Sequence, residues 1–146
     1  MQLVFLAHVG ATLFMVGLIW FVQIVHYPLF GSVGRSGFAG YSQAHSRLTG
    51  FVVGPPMLVE AGTAIALVVR PPEGVPFFLP LLGLVLLAVV WISTAFLQSP
   101  QHAVLGRGFA VASHRFLVAS NWVRTVLWTA RGVIVLVMTA VLLPPA

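Results

Sequence analysis

The chain has 146 residues, of which 60% are hydrophobic and 6% are charged, whereas soluble domains carry about 25% charged residues. Seven arginines against two acids give a formal net charge of +5, but the arginines lie between and inside apolar segments, which excludes the basic stripe of a nucleic-acid-binding surface. The absence of cysteine excludes a disulfide framework, a thiolate metal site and a thiol nucleophile. The composition indicates an integral membrane protein whose main partner is the lipid bilayer.

Apolar runs separated by proline and glycine predict an all-α fold, a four-helix transmembrane bundle that forms a single domain over residues 1–146. A helix needs ~20 residues to cross the ~30 Å hydrocarbon core. The predicted spans are about 3–26, 46–69, 77–97 and 116–142. The first lacks the positive n-region of a signal peptide and is expected to be retained. Pro28 and the glycine-rich GSVGRSGFAG are predicted to stop it. Pro55 and Pro56 are predicted to kink the second span or to separate an interfacial turn from it.

The distribution of arginine predicts the orientation of these spans. The connections at 28–50 and 98–115 carry four arginines, whereas the connection at 70–76 has Arg70 beside Glu73. Cytoplasmic loops are enriched in Lys and Arg, so the first two connections are expected in the cytoplasm. The sequence thus predicts a multi-pass protein of a bacterial-type inner (plasma) membrane with both termini outside.

Polar residues interrupt the fourth apolar segment at helical spacing. At 100° per residue, Asn121, Arg124, Trp128 and Arg131 fall within one sector of the predicted helix. A guanidinium at the bilayer centre costs roughly 2.5–3.5 kcal/mol on translocon scales. This sector is therefore expected to face the other helices, which must provide its partners.

Glu60 is the expected partner, because it lies near the middle of the second span in the apolar stretch MLVEAGTAIALVV. Intramembrane charges usually pair with one another, which predicts an ion pair between Glu60 and either Arg124 or Arg131. A second interpretation places Glu60, Asn121, Arg124 and one or more histidines in a polar pocket. The two interpretations are compatible, and the sequence leaves both open.

Four of the five histidines, His26, His45, His102 and His114, are expected near the cytoplasmic interface, and His8 near the opposite surface. An interfacial role is favoured for His102 and His114, and a site role for His26 and His45. Three kinds of site stay open. They are a haem with axial ligands from His26 and another histidine, a non-haem metal bound by histidines and an acid, and a cofactor-poor pocket for a lipophilic quinone or polyphenol.

These considerations select two sets of candidate residues. The candidate catalytic residues are Glu60, Arg124, Asn121 and His45, and the candidate cofactor- or ligand-binding residues are His26, His45, His102, Arg131 and Trp128. The predicted function is that of an oxidoreductase-like membrane protein. The alternative is a non-catalytic subunit or small transporter whose buried charges serve packing or proton coupling. Self-association and membership of a larger membrane complex stay open.

Several segments resemble a known family. The segment QSPQHAVLGRGFAVASHRFLVASNWVRTVLWTARG is similar to the last third of small bacterial four-helix membrane proteins of the anthrone-oxygenase-like group, and HYPLF and PPMLVE are similar to their first half. The resemblance implies a four-helix membrane fold and, through fungal members, the oxidation of an anthrone to a quinone. It maps the terminal motif of the group onto Asn121, Arg124, Trp128 and Arg131.

Overall fold

The computed structural model describes residues 1–143 and contains four long helices. These are α1 (Gln2–Ser32), α2 (Phe38–Val69), α3 (Phe78–Leu105) and α4 (Val111–Leu142). Each is long and apolar enough to cross a membrane, and no strand occurs within the described range. The structure confirms an all-α four-helix bundle and a multi-pass membrane protein.

The helices are joined by short connections, so that consecutive helices run antiparallel. Helix α1 packs against α2 and α4, and α3 packs against α4 and α2. Among these four neighbouring pairs, α2 and α3 make the least extensive contact. Helices α1 and α4 approach closely at Gly132, where a Cβ atom would lie 3.0 Å from Cγ2 of Val16.

Each helix buries one face, and its buried positions recur every three or four residues, as a single helical stripe requires, except between His45 and Met57 of α2, where Thr49 and Val53 are half-buried. On α1 they include Phe5, His8, Thr12, Met15 and Ile19; on α2, Ser42, His45, Met57, Glu60, Ala64 and Leu67; on α3, Pro80, Gly83, Leu87 and Val90; on α4, Leu117, Asn121, Arg124, Trp128, Arg131, Val135 and Met138. Most other positions are exposed apolar side chains, as expected for helices surrounded by lipid. Polar side chains are therefore gathered in the interior of the bundle.

Two of the helices contain a π-helical turn, at Val22–His26 in α1 and at Thr94–Gln98 in α3. Each turn ends two residues before a proline, Pro28 or Pro100. A proline ring clashes with the carbonyl of the preceding turn in a regular α-helix, and a wider turn relieves this crowding. Both helices consequently continue past their prolines.

The helices are longer than the predicted spans. Helix α1 continues past Pro28 and ends at Ser32, inside the glycine-rich stretch 31–40 that was predicted to stop it together with Pro28. Helix α2 begins at Phe38 and includes both Pro55 and Pro56, so no separate interfacial helix precedes the second span.

Candidate functional site

One end of the bundle carries four histidines. Helices α1 and α3 end there and α2 and α4 begin there, which brings together His26, His45, His102 and His114. We call it the histidine end. The sequence predicted that these four histidines lie near the same interface, and they do lie at the same end of the bundle. Each of them makes different contacts.

A cavity of about 310 Å³ lies between the four helices next to these histidines. Its lining residues are Met15, Leu18, Ile19, Val22 and Tyr27 of α1; His45, Ser46, Thr49, Gly50 and Val53 of α2; Thr94, Ser99 and His102 of α3; and Arg124 and Trp128 of α4. Small-molecule sites are typically ~300–1,000 Å³, mostly apolar, with a few convergent polar groups. The cavity has this character.

Arg124 supplies the positive charge in the cavity wall. Its guanidinium donates to the side-chain oxygen of Asn121 through Nε and Nη2, to the Tyr27 hydroxyl at 3.1 Å and, weakly, to Oγ1 of Thr94 at 3.5 Å. The side chain is 8% exposed. All these partners are neutral, and within residues 1–143 no carboxylate lies at ion-pair distance from Arg124.

Asn121 and Gln23 hold Arg124 in place. The Asn121 amide nitrogen donates to Oε1 of Gln23 at 2.8 Å, and the Gln23 amide donates to the Val118 carbonyl at 3.2 Å. Asn121 is therefore oriented with its oxygen towards Arg124. It positions the guanidinium and does not itself line the cavity.

Tyr27 links Arg124 to a histidine. An arginine can only donate hydrogen bonds, so the Tyr27 oxygen accepts from Arg124 and its own proton is free to be donated to Nε2 of His102, 2.9 Å away. The other ring nitrogen of His102, Nδ1, is buried without a hydrogen-bond partner in the described part of the chain. The backbone carbonyl of Tyr27 accepts from Nε2 of His114 at 2.8 Å, which fixes the turn that carries the phenol.

His45 connects the cavity with His26. Nδ1 of His45 lies 2.7 Å from Nε2 of His26 and 3.0 Å from the Thr49 hydroxyl. Two neutral imidazoles at this separation share one proton in a hydrogen bond. The His45 ring also stands 5.4 Å from the His102 ring, centroid to centroid, so two imidazoles border the same space as Arg124.

Glu60 pairs with Arg131 rather than with Arg124. Its Oε1 lies 3.1 Å from Nη2 of Arg131, and its Oε2 accepts from the Trp128 indole at 3.0 Å. Nη1 of Arg131 donates to the carbonyl of Gly83 in α3. This buried pair joins α2, α3 and α4 outside the cavity wall, and Trp128 connects it to the cavity, since its ring forms part of the lining.

His8 lies in the interior. Its Nδ1 is 2.8 Å from the hydroxyl of Thr63 in α2, and the side chain is buried. His8 is the seventh residue of α1 and lies towards the end of the bundle opposite the histidine end, which agrees with its expected position near the opposite surface; its polar partner on the facing helix holds the side chain between α1 and α2.

The structure divides the predicted site residues into three groups. His45, His102, Arg124 and Trp128 line the cavity; Asn121 and His26 are each one hydrogen bond behind a lining residue; Glu60 and Arg131 form the separate ion pair. His102, for which an interfacial role was favoured, contacts Tyr27 instead. Tyr27, Thr49 and Thr94 were not predicted, although the HYP sequence that places a tyrosine beside His26 was a usable signal for Tyr27.

His26 and His45 do not have the spacing of two ligands on opposite sides of a haem iron or metal ion. Imidazole nitrogens bind metals such as Zn²⁺ at about 2.0–2.1 Å, so two ligands on opposite sides of an ion are about 4 Å apart. The 2.7 Å between His26 and His45 is a hydrogen-bond distance and leaves no such space. Within the described residues no group of three or more His, Cys, Asp or Glu is placed to hold a metal ion.

Comparison with protein-family models, with curated proteins and with solved structures gave no match.

Proposed function

We propose that this protein binds a lipophilic aromatic or quinone-type compound in the cavity, with a ring oxygen of the ligand on Arg124, and that it acts on this compound as an oxidoreductase. The observation that carries the proposal is the neutral environment of Arg124. Charges inside a membrane usually pair, and Glu60 is already paired with Arg131. An electron-rich or anionic oxygen of a ligand would supply the missing partner.

The walls of the cavity favour a ring compound over a small polar solute. Apolar side chains such as Met15, Ile19 and Val22 form its α1 side, and the Trp128 ring forms part of its α4 side. Aromatic rings stack well on such surfaces. A flat lipophilic molecule with one or two oxygens matches this combination of apolar walls and a single cationic donor.

In this proposal His45 acts as the base and Arg124 as the stabiliser of the oxyanion. A neutral imidazole takes a proton from a phenol, or from a C–H group acidified by a carbonyl, while the guanidinium binds the resulting negative oxygen. His26, whose Nε2 lies 2.7 Å from Nδ1 of His45, can take the proton further. Molecular oxygen is the oxidant implied by the family resemblance: one anthrone and one O₂ give one anthraquinone and one water.

The test of binding uses dimethoxy-methyl-benzoquinone, which quenches tryptophan fluorescence when it binds near Trp128. We expect Arg124→Leu to weaken binding roughly tenfold or more, because one charge-assisted hydrogen bond is worth about 1.5–3 kcal/mol. Arg115→Leu is the matched control, since Arg115 is an exposed arginine of the same helix. Equal binding by the wild type and Arg124→Leu would refute the role of Arg124.

The test of chemistry uses anthrone and measures both O₂ consumption and the absorbance of the quinone. We expect His45→Ala to bind the benzoquinone but to lose most anthrone oxidation, since general base catalysis typically contributes ~10²–10⁴-fold. Turnover that is unchanged in His45→Ala would exclude His45 as the base.

A second candidate function is that of a non-catalytic membrane subunit. The Glu60–Arg131 pair favours it, because this pair is fully buried, joins three helices and needs no ligand. If the wild type bound neither the benzoquinone nor anthrone, and Arg124→Leu only lowered stability, this function would replace the first.

A further inference from the structure

We propose that the gap between α2 and α3 is a lateral portal, through which a ring compound with an apolar alkyl or prenyl tail enters the cavity from the bilayer and leaves its tail in the lipid. The inference rests on the proposed function and adds the class of ligand and its route. The cavity is open on one side of the bundle, and this side defines the route.

The opening is formed by small residues of α2 and α3. Ser46 and Gly50 of α2 and Ser99 of α3 line the cavity, and all three are exposed. The residues that line the cavity from α1 and α4 are mostly buried, for example Met15 and Trp128. A Cβ atom at Gly50 would meet no other atom within 4 Å, so the space beside this glycine is open. The cavity therefore opens between the two helices that pack least closely.

The rim of the opening is apolar on both helices. Phe51 of α2 and Phe96 of α3 are each 74% exposed. Gly50 lies twelve residues into α2, or about 18 Å along a helix that rises 1.5 Å per residue. Exposed phenylalanines at this depth favour acyl chains over water, so the opening faces lipid. Leu48 and Val52, which are also exposed, instead line a separate groove between α1 and α2.

The volume of the cavity limits what it can enclose. At about 310 Å³ it is at the lower end of the range for small-molecule sites, sufficient for a ring head whose oxygen reaches Arg124. A long tail must stay outside. The gap beside Gly50 offers it a path, and its apolar rim matches the chemistry of a hydrocarbon chain.

The other polar groups near the opening favour an orientation of the ligand in which its ring head points into the bundle and its tail points out. His102 and Ser46 border both the cavity and a shallower depression that also contains Gln43 and Arg107. That depression lies at the histidine end, where a head group in the bilayer interface would first meet polar side chains. The ring then passes Ser46 towards Arg124, and the tail follows through the gap.

The experiment compares dimethoxy-methyl-benzoquinone with and without a decyl tail, in lipid nanodiscs, by quenching of tryptophan fluorescence. We expect Gly50→Leu to weaken binding of the tailed quinone roughly tenfold more than it weakens binding of the tail-less ring, because the leucine blocks the path of the tail in addition to any effect on the cavity that Gly50 lines. The matched control is Gly62→Leu, a glycine of the same helix that is also exposed and also meets nothing within 4 Å. If Gly50→Leu does not fold, Ser46→Leu tests the same opening.

The outcomes separate the portal from the proposed function. Unchanged binding of the tailed quinone by Gly50→Leu, together with loss of both quinones by Arg124→Leu, would overturn the portal and leave the proposed function intact. If Val52→Trp lost binding of the tailed quinone and Gly50→Leu did not, the tail would lie in the groove between α1 and α2. That result would also overturn the portal. If the wild type bound neither quinone, the proposed function and the portal would both fail.

Discussion

The Glu60–Arg131 ion pair provides a quantitative test of how the bundle is held together. Glu60 is fully buried and Arg131 is 2% exposed. Glu60→Gln keeps an oxygen that can accept from Trp128 or Arg131 but removes the negative charge, and it leaves a buried guanidinium uncompensated. Removing one partner of a buried pair costs about 3–5 kcal/mol. We expect a loss of this size for Glu60→Gln.

A substitution of Arg131 and the corresponding double substitution complete a double-mutant cycle. Arg131→Met removes the guanidinium and its bonds to Glu60 and Gly83, and we expect it to be destabilising as well. In the Glu60→Gln/Arg131→Met double variant neither member of this pair is left as an unpaired buried charge. Coupled residues show interaction energies of about 0.5–3 kcal/mol, so the double variant should be more stable than the sum of the single changes by that amount.

The measurement is reversible unfolding in mixed micelles of dodecyl maltoside and increasing SDS, followed by circular dichroism and tryptophan fluorescence. Glu73→Gln and Arg70→Met are the controls, because both residues are exposed in the α2–α3 connection and surface charges are worth about 0–1 kcal/mol. Single-variant costs below ~0.5 kcal/mol, or strict additivity of the two changes, would refute the argument.

Three further changes test other parts of the packing by the same unfolding measurement. Tyr27→Phe keeps the ring but leaves Nη2 of Arg124 and Nε2 of His102 without their shared hydroxyl, at a cost of about 1–3 kcal/mol; an unaltered midpoint would show that this link is not formed. Gly132→Ala should cost about 1–3 kcal/mol by overpacking against Val16, and a stabilising effect would contradict the close approach of α1 and α4. Thr63→Val removes the bond to His8 and should cost about 0.6 kcal/mol; a cost above ~2 kcal/mol would mean that His8 has a larger role.

Helical periodicity was sufficient to predict the polar face of α4. Asn121, Arg124, Trp128 and Arg131 are all buried on one stripe, because side chains at i, i+3, i+4 and i+7 share a face whatever surrounds the helix. The high cost of a guanidinium in lipid then determines which way the stripe points. Both the spacing of side chains along α4 and the cost of a charge in lipid depend only on the segment itself, so the sequence alone was sufficient to predict this face.

The choice between Arg124 and Arg131 as the partner of Glu60 needed the structure. It depends on how far α2 is rotated and shifted along α4, and the sequence around Pro55 and Pro56 left the phase of α2 uncertain. Since α2 runs through both prolines as one helix, Glu60 reaches Arg131 and leaves Arg124 to neutral partners. Tyr27 was missed for a related reason, because it follows the first π turn, where the regular 100° spacing no longer applies.

The π turns at Val22–His26 and Thr94–Gln98 each accommodate one residue more than a regular α-helix would over nearly the same rotation, because their hydrogen bonds span five residues instead of four. Deleting one residue from either turn would therefore restore a regular α-helix and leave everything beyond it facing nearly the same way. Tyr27 and His102 would keep their side of the bundle. Proteins that carry the same polar residues but are one residue shorter before Pro28 or Pro100 would still present this site, so an alignment with such proteins needs a one-residue gap at each turn.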